Sequence, residues 1–208
     1  MNAKAVPSNY FEEIYANELD PWGFDTHWYE ARRRALLMAS LPKARYRRAF
    51  EPGCAIGTLS IELASRCDHL VATDVIDKAL AEARTRVEHN CDAGTVEFRQ
   101  WALGQSWPQE QFDLIVLSEV CYYLEASTVE QVLLEVVSHC EPAATVLCAH
   151  WRRPVPDYTL TGDEVHDIAR ATPGLWSLAR YIDEDLVLDV FATGQNSPCS
   201  VAAEEGIL

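Results

Sequence analysis

The sequence predicts an α/β fold: a mostly parallel sheet with helices on both faces and an antiparallel strand at its end. Three observations predict it. Strand-like and helix-like stretches alternate from Arg47 onward, the pattern of repeated βα units. "FDLIVLSEV" is continuously apolar, as a central parallel strand is. "LWSLARYI" and "DLVLDVFAT" read as a closing antiparallel pair.

Taken in order, "RRAFEP" is the first strand and "GTLSIELASRC" a helix with Leu59, Leu63 and Ala64 on one face. "HLVATDV" is the second strand. "DKALAEARTRVEHN" is a helix, N-capped by Asp77, with Leu80, Ala83 and Val87 aligned. "TVEFRQWAL" is the third strand and "FDLIVLSEV" the fourth. A helix follows from about Ser127, where Ser127 and Glu130 have capping-box spacing. "ATVLCAHW" is the fifth strand, Thr161 and Glu164 open another helix, and the closing pair makes seven strands in a Rossmann-like order. Ahead of the sheet, "SNYFEEIYAN" and "DTHWYEARRRALLMAS" read as helices, the second with a stripe of Trp28, Ala31, Ala35 and Met38 for packing onto the sheet. Residues 1–45 are therefore expected to form a helical cap or lid with "ELDPWGF" as its loop, 46–193 the core, and 194–208 a flexible tail, one domain overall.

The 208 residues suit one α/β domain, and a 49% hydrophobic share suits a sizeable core. With 17 Lys and Arg against 32 Asp and Glu, the formal charge is −15, which argues against nucleic acid or an anionic membrane as partner. The basic run around Arg32, Arg33, Arg34, Lys43, Arg45, Arg47 and Arg48 reads as a solvated face. Seven cysteines, none at CxxC spacing, read as reduced thiols of a cytoplasmic protein, with Cys121 and Cys148 in the core. No stretch reaches the ~18 apolar residues of a membrane span. No histidine–carboxylate cluster predicts a metal. "TGDEVH" offers Asp163, Glu164 and His166, but the capping box accounts for most of that acidity.

In open α/β sheets, ligands sit at the carboxyl ends of the strands near the reversal of strand order. The first such turn reads Glu51-Pro52-Gly53-Cys54-Ala55-Ile56-Gly57. Gly53 and Gly57 permit a tight turn and close approach to a ligand. The GxGxxG of a nicotinamide site is absent, and a nicotinamide oxidoreductase is disfavoured. Two acids flank the turn: Glu51 ends the first strand and Asp74, ahead of Val75, ends the second. A carboxylate suits the ammonium and sulfonium of S-adenosylmethionine, which carries no phosphate, and Asp74 can accept from both ribose hydroxyls.

"EPGCAIG", "VATDV" and "FDLIVLSEVCYYL" resemble the successive motifs of class I S-adenosylmethionine-dependent methyltransferases. "DPW", "WYEARR" and "LSEVCYYL" narrow the resemblance to the NodS type, from about Tyr10 to His150. Ala55 stands where the methyltransferase turn ExGxGxG has its middle glycine. The resemblance implies a seven-stranded sheet with an antiparallel seventh strand. It implies that Trp22 and Arg33 cover the methionine end of the cofactor, with Arg33 gripping its carboxylate; the competing reading is an exposed pair of Arg33 with Glu30. It puts Trp101, Ala102 and Leu103 beside the adenine, where Trp101 either stacks on the base or packs in the core. Cys54, Ala55, Val75, Ser118 and Glu119 complete the expected cofactor wall.

Methyl transfer needs a nucleophile held in line at roughly 3–3.5 Å and water excluded. Candidate acceptor-side residues are Glu119, Tyr122 and Tyr123 after the fourth strand and His150 at the end of the fifth. The expected acceptor is a small molecule, most simply an amine, an amino sugar by the resemblance. Competing readings are an O-methyltransferase of a small hydroxy or carboxylic compound and a cofactor-binding module without turnover.

Overall fold

The computed structural model describes residues 6, 9–90, 94–194 and 200–207. Its sheet holds β1 (Tyr46–Pro52), β2 (Cys67–Asp74), β3 (Thr95–Gln100), β4 (Phe112–Ser118), β5 (Cys140–Trp151), β6 (Leu175–Ile182) and β7 (Leu186–Thr193). The order is β3-β2-β1-β4-β5-β7-β6. Strands β1 to β5 pair in parallel, and β7 runs antiparallel between β5 and β6. Seven mostly parallel strands with an antiparallel last strand is the architecture the sequence predicts. The order reverses between β1 and β4, which places a ligand crevice at their carboxyl ends.

The central strands are buried on both faces, so their side chains alternate between two cores. Phe50, Ile115, Leu117, Val146 and Cys148 face one core, which α5 (Ala126–His139) and α6 (Gly162–Ala171) cover with Val129, Leu133, Val165 and Ala169. Ala49, Leu114, Val116, Leu147 and Ala149 face the other, covered by α2 (Trp28–Ser40), α3 (Thr58–Ala64) and α4 (Asp77–Asn90) through Leu37, Leu63 and Leu80. A third cluster joins Tyr15 of α1 (Tyr10–Asn17) to Ile56, Ile76 and Ala79. The helix α6 opens on the expected capping box: Thr161 Oγ1 accepts from the Glu164 amide and Glu164 Oε2 accepts from the Thr161 amide.

Several expectations need correction. Helix α5 has Glu125 as its N-cap, with no side-chain capping bond; Ser127 already lies inside the first turn. Asp77 is likewise the first helical residue of α4. The helix after the glycine turn stops at Ala64, and Cys67 begins β2. The stripe on α2 is rotated from the expected one. Trp28 is 77% exposed and Ala35 is exposed, while Glu30, Arg33 and Leu37 are buried. The reason is local: α2 turns an ion pair toward the crevice, and that fixes which face points inward. Within the expected tail, Val201–Glu204 form a helical turn, α7, capped by Ser200; residues 195–199 and 208 lie outside the described residues, as do Cys91 and Cys199. The five described cysteines are free and buried.

The basic run forms no common face. Arg32 pairs with Asp183, Arg34 with Glu62, Arg45 with Asp68 and Arg48 with Glu110. Among the described residues no helix is long and apolar enough to cross a membrane, and no cluster of potential metal ligands occurs.

Candidate active site

A cavity of about 530 Å³ opens over the carboxyl ends of β2, β1, β4 and β5, within the size range of small-molecule sites. At one end lies the glycine turn. Gly53 has φ +74°, and a Cβ there would stand 2.2 Å from Val120 Cγ1, so the position excludes any side chain. The Gly53 and Cys54 amides both donate to the Thr73 carbonyl, at 2.7 and 2.8 Å. The Ala55 amide donates to Asp74 Oδ2 at 2.9 Å, and the Gly57 amide to the Cys54 carbonyl. These four amides are satisfied inside the turn, so they cannot cradle a phosphate as anion-binding turns do.

Asp74, 8% exposed, also accepts from the Ile76 amide through Oδ1. Burial pushes its carboxyl up, against those amide bonds. Glu51, 3% exposed, accepts from Ser60 Oγ at 2.6 Å. Burial pushes it up to about 8. Both acids line the cavity.

Trp101 packs in the core, as one of its two readings has it, and also borders the cavity. Its ring packs edge-on against Phe50 and Trp107, its Nε1–H donates to the Ser106 carbonyl, and it still forms part of the cavity wall beside Ala102 and Leu103. Gly57 does not line the cavity. Its φ is +80° and a Cβ would stand 2.8 Å from Ala83 Cβ, so this glycine serves the close approach of α3 to α4.

At the other end, Arg33 is 4% exposed, so the exposed-pair reading is corrected. Its Nε and Nη2 both donate to Glu30 Oε2, and Nη1 donates to Ser118 Oγ. The guanidinium is thus oriented before any ligand arrives. Glu119 sits at φ +59°, a left-handed conformation that costs a non-glycine residue about 1–2 kcal/mol. Its Oε2 accepts from Tyr122 Oη at 2.5 Å; its Oε1 is buried with no partner. Burial pushes the Glu119 carboxyl up, opposed by Arg33, by the Tyr122 bond and by the Trp151 backbone amide. Four carboxyl groups, Glu30, Glu51, Asp74 and Glu119, face one buried guanidinium along the cavity. That balance, with the closed turn, fits a cationic ligand without phosphates.

Both candidate tyrosines line the cavity. Tyr123 Oη donates to Tyr158 Oη at 3.1 Å, and the Tyr122 ring stacks on Tyr158 at 4.5 Å. Trp22 lines the wall within an aromatic group of Phe11, Tyr15 and Phe24.

His150 is the acceptor-side candidate that does not reach the cavity. It is fully buried behind the turn of Cys121–Tyr123. Its Nε2 accepts from the Cys121 amide, so Nδ1 carries the proton and donates to His166 Nε2 at 3.0 Å. His166 Nδ1 then donates to Asp189 Oδ2 at 2.7 Å, and Arg170 closes the chain on that same oxygen. Burial depresses both imidazoles. A neutral relay therefore braces the turn from behind.

Sequence reasoning missed Tyr15, Tyr29, Trp151 and Tyr158 as cavity residues. Tyr29 stood inside the quoted "WYEARR"; Tyr158 lies in "RRPVPDYTL", which carries no periodic pattern to place it.

The profile of the family "Nodulation protein S (NodS)" matches residues 11–155. Nodulation protein S of Sinorhizobium fredii is 36% identical over 109 residues, covering 51% of this chain and 48% of that protein. The Rhizobium tropici protein is 35% identical over 108 residues, covering 50% of this chain and 43% of that protein. The chain thus spans about half the length of these curated relatives. Among solved structures, the N-methyltransferase NodS of Bradyrhizobium japonicum WM9 in complex with S-adenosyl-L-homocysteine is similar at 26% identity. It covers 88% of this chain and 96% of that one, with a TM-score of 0.78. A Pseudomonas syringae protein, described provisionally as a methyltransferase, shares 37% identity over 80% of this chain and 99% of that one, with a TM-score of 0.68. With 145 consecutive residues matched and the strand ends of the site inside them, the chain belongs to the nodulation protein S (NodS) family.

Proposed function

We propose that the protein is an S-adenosylmethionine-dependent methyltransferase that acts on the nitrogen of a small amine in the cytoplasm. The carrying observation is the cavity itself: a glycine turn whose Gly53, Cys54, Ala55 and Gly57 amides are taken up by protein acceptors, buried carboxyl groups on successive strand ends, and a Glu119 Oε1 without a partner at the far end. Support comes from the family and from the solved relative with its bound adenosylhomocysteine.

In this reading Asp74 holds the ribose hydroxyls, Glu51 and Arg33 serve the amino-acid end, and Trp101 borders the adenine. Cys54, Ala55, Val75, Ala102, Leu103, Ser118 and Trp22 complete the enclosure. The bound cofactor supplies an activated methyl group and a good leaving group. Glu119 attracts the acceptor ammonium and takes its proton through Oε1, helped by a carboxyl whose affinity for protons burial has raised. Tyr122 holds Oε2, which fixes the orientation of Oε1. Residues 9–45 act as the cap that excludes water, residues 1–5, 7 and 8 of the expected cap lying outside the described residues, and Gly57 and His150 act by packing and bracing.

Calorimetry with adenosylhomocysteine and with NAD, followed by radiolabel transfer from adenosylmethionine to amine, hydroxyl and carboxyl acceptors, tests this. Micromolar adenosylhomocysteine binding and transfer to amines are expected. Binding of NAD instead, or transfer confined to oxygen acceptors, would reject it.

A further inference from the structure

We infer that Tyr29 Oη, together with Glu119 Oε1, holds the acceptor nitrogen at the point of methyl transfer. This rests on the methyltransferase reading and adds to it a second acceptor-side group, supplied by α2.

The first observation is a pair of open positions. Among the described residues, five buried side-chain oxygens lack a hydrogen-bond partner. Two of them, Glu119 Oε1 and Tyr29 Oη, belong to the acceptor end of the cavity; Tyr15 Oη, also on the cavity wall, stands near Asp74 at the other end. An oxygen buried without a partner costs stability, so two at one end of a cavity mark places that a ligand fills.

The second is how Tyr29 comes to lie there. Tyr29 and Arg33 stand four residues apart on α2, and so share a face of the helix. Arg33 Nη1 donates to Ser118 Oγ, which pins that face to the end of β4, one residue before Glu119. Trp151 links the two open groups. Its ring packs edge-on against Tyr29 at 4.9 Å, and its backbone amide acts on the Glu119 carboxyl. Burial and the Glu119 carboxylate hold the Tyr29 hydroxyl well above the usual phenol value, so it stays protonated and can both donate and accept. Glu30, paired with Arg33, offsets the guanidinium charge that a bound ammonium would otherwise meet.

The third is chemical. When Glu119 takes a proton from the ammonium, the new O–H points back at the lone pair that must attack. A second acceptor that keeps hold of an N–H lets the lone pair turn from Glu119 to the methyl carbon. The N–C bond then forms as the S–C bond breaks, and the electron pair of that bond goes to sulfur. Tyr29 Oη is placed to be the second acceptor, since its lone pairs meet no protein donor among the described residues.

The test uses sinefungin, the adenosylmethionine analogue with a primary amine where the cofactor carries its methyl group, and adenosylhomocysteine, which has nothing at that position. Calorimetry at neutral pH measures both ligands on the wild type, Tyr29→Phe and Glu119→Gln. Tyr29→Phe keeps the ring against Trp151 and removes only the hydroxyl. The wild type should bind sinefungin about tenfold or more tighter than adenosylhomocysteine. Each variant should lower sinefungin affinity about tenfold and leave adenosylhomocysteine within about twofold, as expected for losing a hydrogen bond to a charged group. Sinefungin bound no more tightly than adenosylhomocysteine by the wild type, or as tightly by either variant as by the wild type, would overturn the inference and leave the methyltransferase reading standing. A Tyr29→Phe variant that loses both ligands alike would also overturn it, by moving the hydroxyl to the amino-acid end of the cofactor. A wild type that binds neither ligand would overturn both the inference and the reading beneath it.

Discussion

The two ends of the cavity are built differently. The end beside Gly53 comes from one contiguous turn and the ends of β1 and β2, and its amides and Asp74 are tied to one another. The end beside Glu119 is assembled from α2, the turn after β4, the end of β5 and the 152–160 segment, and it keeps unpartnered oxygens on Glu119 and Tyr29. Buried oxygens without a partner occur at both ends, Tyr15 Oη beside Asp74 and Glu119 Oε1 with Tyr29 Oη opposite, so the ends differ in how they are assembled: one from a contiguous turn, the other from four segments distant in sequence.

The sharpest way to break this contrast is Asp74→Ala. It strands the Ala55 and Ile76 amides and, on the proposed reading, removes a ribose contact, so adenosylhomocysteine affinity should fall by about 1.5–3 kcal/mol by calorimetry, the range for hydrogen bonds to a charged group. An unchanged affinity in a folded variant would show that Asp74 serves the turn alone.

Glu119→Gln probes the other end. The acceptor kcat/KM should fall tenfold to a hundredfold, about 1.4–2.7 kcal/mol, with adenosylhomocysteine affinity little changed. Loss of cofactor affinity instead would erase the distinction between the two ends.

The brace behind the turn predicts a pH effect. Burial holds His150 and His166 below the usual histidine value, so the unfolded chain binds more protons just under about pH 6.5. Their contribution to stability is present above that pH and is lost as pH falls toward the native values. Glu51 has the opposite sign: its raised value favours folding at low pH and is lost as pH rises through about 8. Denaturant unfolding from pH 7.5 to 5 on the wild type and on His166→Gln separates the two, because the variant should lose part of the acid-side decline. Parallel curves would remove the histidine relay as its source.

The smallest effect belongs to Ala55, at φ +49° where methyltransferase turns have glycine. Ala55→Gly relieves a left-handed conformation and should stabilise by up to about 1 kcal/mol, less the added freedom of the unfolded chain. Marked destabilisation would mean that the alanine methyl group packs in a way the conformational argument ignores.

The legibility of the sequence follows the same division. The strands, the antiparallel end and the Thr161 cap were readable because they rest on short-range periodicity and spacing. The Glu51–Asp74 pair was readable because both lie beside strands that locate them. The face of α2 was not, because a helix of mixed composition gives no hint that Glu30 and Arg33 go inside while Trp28 stays out. Tyr158 was not, because its position depends on long-range bonds: the Thr159 and Leu160 amides donate to the Tyr122 carbonyl, and Thr159 Oγ1 donates to the Tyr123 carbonyl 36 residues away. His150 was placed on the correct strand but one layer too far forward.

The histidine thread has a consequence for how such a protein can diversify. Its far members, His166 and Asp189, stand outside the stretch matched by the family profile, yet three hydrogen bonds in series connect them through His150 to the Cys121 amide. A replacement on α6 or β7 is therefore felt at the tyrosine turn without touching Gly53, Glu51 or Asp74. A lineage descended from this architecture can try out new acceptors by drift in its C-terminal third while the inherited half stays fixed.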